Sequence, residues 1–142
     1  MAHEDSGMNV FIVDLIDKPG QLAKISEAIA RKGINITGIS GVTCGGTGAV
    51  AVLTNDEAGT RKAFEDAGLK ARERELATAS LDDKPGTLAA ITKKLGDAGV
   101  NIEVAMPVAM AGDKVSLAFA TDNPAKAREI LGTPARAGIG VG

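Results

Sequence analysis

Apolar residues along this chain alternate between two spacings. Asn9 to Ile16 (Asn-Val-Phe-Ile-Val-Asp-Leu-Ile) is rich in β-branched residues, apolar on both faces, and stops at the turn signal Asp17-Lys18-Pro19-Gly20, which predicts a strand. From Gln21 to Lys32 the large apolar residues fall at Leu22, Ile25 and Ile29 with Ala28 beside them, the spacing of one helix face, and Gly33 follows as a stop. Ile34 to Val42 returns to strand character, Ile34 and Ile36 alternating with Asn35 and Thr37. The turn Cys44-Gly45-Gly46 leads into Thr47 to Thr54, where Val50 and Val52 alternate with Ala49 and Ala51, so the two segments predict a β-hairpin. Asn55 or Asp56 caps a helix to about Ala67, with Ala63, Phe64 and Ala67 on one face and Gly68 at its end. Lys70 to Glu75 is charged but lies between a helix stop and another strand, and is expected to be an edge strand.

The series then starts again. Asp17-Lys18-Pro19-Gly20-Gln21-Leu22-Ala23 returns as Asp83-Lys84-Pro85-Gly86-Thr87-Leu88-Ala89, an offset of 66 positions (83 − 17). Leu76 to Leu81 corresponds to the first strand, Leu88, Ile91 and Leu95 to the first helix face, and Gly99-Val100-Asn101-Ile102 to Gly33-Ile34-Asn35-Ile36. The second copy gains about one residue at Ala111-Gly112-Asp113 before Val115 to Ala120, and Asn123-Pro124 opens a last helix through Leu131. The tail from Gly132 to Gly142 has only Ile139 and Val141 as large apolar residues, so its strand is expected to be short or absent.

The expected fold class is therefore α+β: two ferredoxin-like β-α-β-β-α-β units in tandem, residues 8–75 and 76–142, each an antiparallel sheet with helices on one face. Units this small are marginal alone and better stabilised as a pair. Aligning the halves puts Phe11, Val13, Leu15, Val50 and Val52 under the helices, beside Ala77, Ala79, Leu81, Leu117 and Phe119. The opposite face is apolar in the first half (Val10, Ile12, Ala49, Ala51) and is expected to need a cover such as a second chain.

Composition narrows the function. Apolar residues make up 44% and charged residues 24%, which fits a globular chain, and a net charge of −2 gives no reason to expect nucleic acid or an anionic membrane. An RNA-binding sheet of this topology would carry exposed aromatics, whereas the chain has three Phe and no Trp or Tyr. No apolar run is long enough to span a bilayer and the first residues lack the order of a signal peptide, so a cytoplasmic location is expected. The single Cys44 excludes an internal disulfide, the single His3 lies in a terminal segment, and Met106 and Met110 read as packing, so no catalytic or metal site and no cofactor is expected. A phosphate-handling hydrolase of this topology would need arginine in the first turn, where only Lys18 and Lys84 stand. Gly41 to Gly48 lacks the lysine and hydroxyl residue of a phosphate loop and reads as a hairpin turn.

What remains is the repeated turn. A helix N-terminus behind a glycine suits a carboxylate, because its backbone N–H groups are unpaired and Gly20 lets a ligand approach closely. A turn of this kind can hold a small anion, while Asp17 offers a carboxylate acceptor and Asn35 both donates and accepts.

A β-α-β-β-α-β unit with Asp-Lys-Pro-Gly-x-Leu-Ala at its first strand–helix turn and Gly-[Ile/Val]-Asn-Ile entering its second strand resembles an ACT domain, and the doubling resembles a tandem ACT pair over residues 8–131. The resemblance implies a regulatory module that binds free amino acids at interfaces between paired domains, and a homodimer whose paired domains extend a sheet. It implies one site at Asp17, Pro19, Gly20, Gln21 and Leu22 with Asn35 reaching in across an interface. It implies a second at Asp83, Pro85, Gly86, Thr87 and Leu88 with Asn101. Serine-binding members have a histidine before the loop, where Leu15 and Leu81 stand here. The alternative is a non-catalytic regulatory or assembly subunit of an amino-acid-pathway enzyme or a transcription regulator, with ligand binding secondary. If one turn alone binds, the first is favoured, since the second copy ends in the glycine-rich tail.

Overall fold

A computed structural model describes residues 8–132, so His3 and the segment where a last strand of the second copy is expected to be short or absent lie outside the described residues. The chain divides after Arg74: Val10–Arg74 forms one compact unit, and the described residues from Glu75 onward, with Met8 and Asn9, form another. The fold class is that expected from the repeat, βαββαβ-type with antiparallel sheets and four helices.

The first unit contains β1 (Asn9–Ile16), α1 (Gln21–Ala30), β2 (Ile36–Cys44), β3 (Thr47–Thr54), α2 (Glu57–Asp66) and the start of β4 (Ala71–Asp82). Its hairpin turns on Gly45 and Gly46 at φ +64° and +94°, a two-residue connection that residues with a Cβ adopt only under strain. Strands β2, β3 and β1 lie side by side in that order, all antiparallel, in rows Phe11–Val52–Ile39, Val13–Val50–Gly41 and Leu15–Gly48–Thr43. These rows face the helices. Phe11, Val13, Val50 and Val52 pack with Ile25, Ile29 and Phe64 into the core, where the Phe11 and Phe64 rings meet edge to face at 5.8 Å. Asp56, rather than Asn55, caps α2, its carboxylate accepting from the Gly59 N–H at 2.9 Å.

Three expectations change. Lys70–Glu75 and Leu76–Leu81 are one continuous strand, because nothing between Ala71 and Asp82 breaks the extended backbone, and Arg72 and Glu73 are engaged by Asp14 and Arg61. Helix α1 ends at Ala30, two residues before Lys32, with Gly33 at φ +71° turning the chain. Of the apolar face opposite the helices, Val10, Ile12 and Ala51 are buried in the single chain and Ala49 is half-buried, so this face does not call for a second chain.

The second unit contains the rest of β4, α3 (Thr87–Asp97), β5 (Ile102–Ala111), β6 (Lys114–Thr121) and α4 (Pro124–Leu131), with strand order β4-β6-β5. Its rows are Ala77–Phe119–Ala105, Ala79–Leu117–Pro107 and Leu81–Val115–Met110. Of the expected helix face only Leu95 is fully buried. Ala77 and Ala79 stand where the first unit has Phe11 and Val13, so α3 has shorter side chains to pack against.

Truncating Phe64 to Ala removes the partner of Phe11 and should cost about 3–5 kcal/mol. Leu22→Ala removes a side chain that is half exposed and should cost well under that. Urea unfolding of the two variants checks the contrast.

Candidate ligand-binding site

Both repeated turns are built alike. The Asp17 N–H donates to the Gly46 carbonyl at 2.9 Å, which ties the end of β1 to the hairpin. In the second unit the Asp83 N–H donates to the Asp113 carbonyl at 2.7 Å. Gly20 and Gly86 then precede their helices at φ +90° and +94°, a conformation glycine adopts freely. No side chain caps either helix, so the first-turn N–H groups have no side-chain acceptor. Pro at 19 and 85 and Gly at 20 and 86 thus shape the backbone.

Beside the first turn lies a cavity of about 420 Å³. Asp17, Lys18, Gln21 and Leu22 bound it on the turn side, and Leu15, Ile39 to Thr43, Ala49 and Val50 on the sheet side. Three of the expected residues, Asp17, Gln21 and Leu22, therefore share one space. Asn35 does not join them within the chain. Its N–H donates to the Asn55 side chain at 3.1 Å, past the far end of β3, while Asp17 is held at Gly46, just before the near end. The eight residues of β3 put those ends roughly 25 Å apart. Asn101 is likewise clamped by Asp122, through a 2.9 Å bond to its N–H.

The second turn has a smaller cavity of about 290 Å³ with different walls: Ser80, Leu81, Asp82, Thr87, Ala90, Ile91, Lys94 and Lys114. Thr87 is the one expected residue in that lining. Its hydroxyl is already used, donating to the Asp82 carbonyl at 2.8 Å and the Lys84 carbonyl at 3.2 Å. Lys114 hydrogen-bonds Asp82 across the mouth. That hydrogen bond, with the lysine charge behind it, holds the Asp82 carboxyl below the usual carboxylate range and the Lys114 ammonium above its own.

The lining from β2 and β3 was not anticipated from the sequence. Gly41, a glycine inside a strand, was its available signal, since such a position marks either a bulge or a close approach. Among the described residues no group of three or more His, Cys, Asp or Glu side chains could hold a metal ion, and no helix is long and apolar enough to cross a membrane.

An ACT domain model matches residues 9–66 and an ACT domain pair model residues 59–134. No curated protein matches the sequence at a significant level. Among solved structures, a Bacteroides thetaiotaomicron protein superposes with a TM-score of 0.74 at 22% identity, over 88% of this chain and 86% of that one. The ligand-free regulatory subunit of aspartate kinase from Thermus thermophilus gives 0.62 at 20% identity, over 89% and 90%. The corresponding regulatory subunit from Thermus flavus gives 0.61 at 22% identity, over 87% and 86%. At these identities the likeness is one of fold.

In Lys114→Gln the pull on Asp82 is gone, and its carboxyl should titrate at higher pH than in the native chain, as followed by carboxyl NMR shifts. The sign for stability follows. A carboxyl with a depressed folded-state pKa stabilises the fold above its unfolded-state pKa, and that contribution disappears as pH falls through the folded-state value. The acid side of the melting profile should therefore flatten in Lys114→Gln.

Proposed function

The chain belongs to the ACT domain family as a tandem pair, and on that premise we propose that it is a non-catalytic sensor that binds a free amino acid at the turn after β1. The observation that carries this reading is the grouping of Asp17, Gln21 and an uncapped helix N-terminus around one open cavity. The ligand carboxylate meets the N–H groups behind Gly20 and the positive end of α1. Its ammonium meets Asp17 in a charge-assisted bond. The corresponding turn at Asp83, Pro85, Gly86, Thr87 and Leu88 is a candidate for a second ligand. The first is favoured because Gln21 lines an open space, whereas Thr87 is committed to its own turn.

A homodimer completes the proposal. Among the described residues strand β2 is paired only with β3, contains no Lys or Pro, and exposes Ile39 and Val42, all features of an edge left open to pairing. In the second unit, strand β5 carries Pro107 and two register irregularities. A second copy joined along β2 extends the sheet, and Asn35 then comes from the partner. The occupant is a second copy of this chain, and the location is the cytoplasm.

A second reading has one observation in its favour: the chain matches nearly the whole length of a regulatory subunit of aspartate kinase. On that reading the pair is a regulatory or assembly subunit of an enzyme or a transcription regulator, with ligand binding secondary.

Calorimetric titration of the purified chain with the standard amino acids separates the two, and no heat with any of them would sink the sensor. With a ligand in hand, Asp17→Ala should weaken binding by about 1.5–3 kcal/mol, as expected for a lost hydrogen bond to a charged group. Unchanged affinity in both Asp17→Ala and Asp83→Ala removes the ammonium assignment. Sedimentation at micromolar concentration should show a dimer, and only monomer rules it out.

A further inference from the structure

We infer that the ligand of the first cavity is an amino acid with an uncharged aliphatic side chain, and that the second unit has no equivalent seat for it. This rests on the amino-acid reading of the turn and adds the side-chain class. The ionisable groups of the lining, Asp17 and Lys18, both sit in the turn, where the ligand's own ammonium and carboxylate are held. Beyond the turn the walls are Leu15, Leu22, Ile39 and Val50, with Ser40 and Thr43 as neutral polar neighbours. A charged ligand side chain would enter this space without a counter-charge, which is unfavourable, whereas a branched or thioether chain would shed water from its own surface and from Leu22 and Ile39, both about half exposed (50% and 45%).

On the sheet side the space is bounded by Val50 and Gly41, which stand opposite one another in the row Val13–Val50–Gly41. Gly41 faces the helices beside Val50, and a Cβ there would stand 3.2 Å from the Val50 Cγ2, so the missing side chain is what keeps the sheet side open. In the second unit the same row ends in Pro107, and the next places Val115 and Met110 where the first has Gly48 and Thr43. Ala105 replaces the Ile39 wall. Of these only Val115 is partly buried, and the smaller cavity of the second unit has other walls, with Lys94 and Lys114 where the first has neutral side chains.

The test is calorimetry on the full chain with L-leucine, L-isoleucine, L-valine and L-methionine against glycine, L-lysine and L-aspartate. At least one aliphatic amino acid should bind with one ligand per chain, about tenfold or more tighter than glycine, and lysine and aspartate should bind more weakly than it. Tighter binding of lysine or aspartate, or two equivalent sites per chain, overturns the inference and leaves the amino-acid reading standing. Absence of binding by every amino acid overturns that reading, and this inference with it. Gly41→Val should lower the affinity for the best aliphatic ligand at least tenfold while the melting temperature stays near the native value. If Gly41→Val does not fold, Ile39→Lys, at a half-exposed position, decides instead: it should cost a similar factor, and native affinity in the folded variant refutes the seat.

Discussion

Everything near the candidate site depends on how β1 hands over to α1. The strand must stop, the chain must reverse, and the helix must start with its N–H groups pointing outward. A backbone hydrogen bond from Asp17 to Gly46 fixes the end of the strand against the hairpin, and Gly20 at positive φ completes the reversal. The helix start is then left without a side-chain cap, unlike α2 and α4, which Asp56 and Asn123 cap. An uncapped start costs the fold a little stability and leaves polar donors for something else to satisfy. The same arrangement at Asp83 and Gly86 makes this a property of the repeat.

The two units use that shared turn over unlike sheets. Bulk in the first unit is spread along β1 and β3, through Phe11, Val13, Val50 and Val52, and is missing at Gly41 and Gly48 close to the turn. In the second unit β4 supplies alanines, and the larger Leu117, Phe119 and Val115 stand opposite or beside them on β6, Phe119 fully buried. A core can be filled from either side provided total volume is kept. The uncapped turn behind glycine occurs in both copies, while the walls beside it differ.

The local elements were legible in the sequence because their signals are local. β1 and β3 have the bounds that the apolar runs and glycine turns specify, and the doubled Asp-Lys-Pro-Gly-x-Leu-Ala run specifies the repeat. Leu22 and Leu88 illustrate where periodicity stops. Both fall on the apolar helix face by spacing, yet both remain about half exposed, since spacing orders residues around a helix without saying how far the sheet beneath extends. Lys70 to Leu81 failed for a related reason. A charged stretch beside an apolar one reads as two strands, but the backbone continues through both when exposed Arg and Glu side chains find partners such as Asp14 and Arg61.

By itself, then, the sequence determined the α+β repeat, its turns and the polar groups at the candidate site, all of which follow from spacing and from the conformational needs of glycine and proline. Only the tertiary structure decided what surrounds those groups. It brought Ile39, Gly41 and Val50 to Asp17 and Gln21, and held Asn35 at the opposite end of the strands. Strand register sets these distances, and register is a relation between segments far apart in sequence. A one-residue slip would turn Gly41 away from the cavity and leave the composition of every segment unchanged.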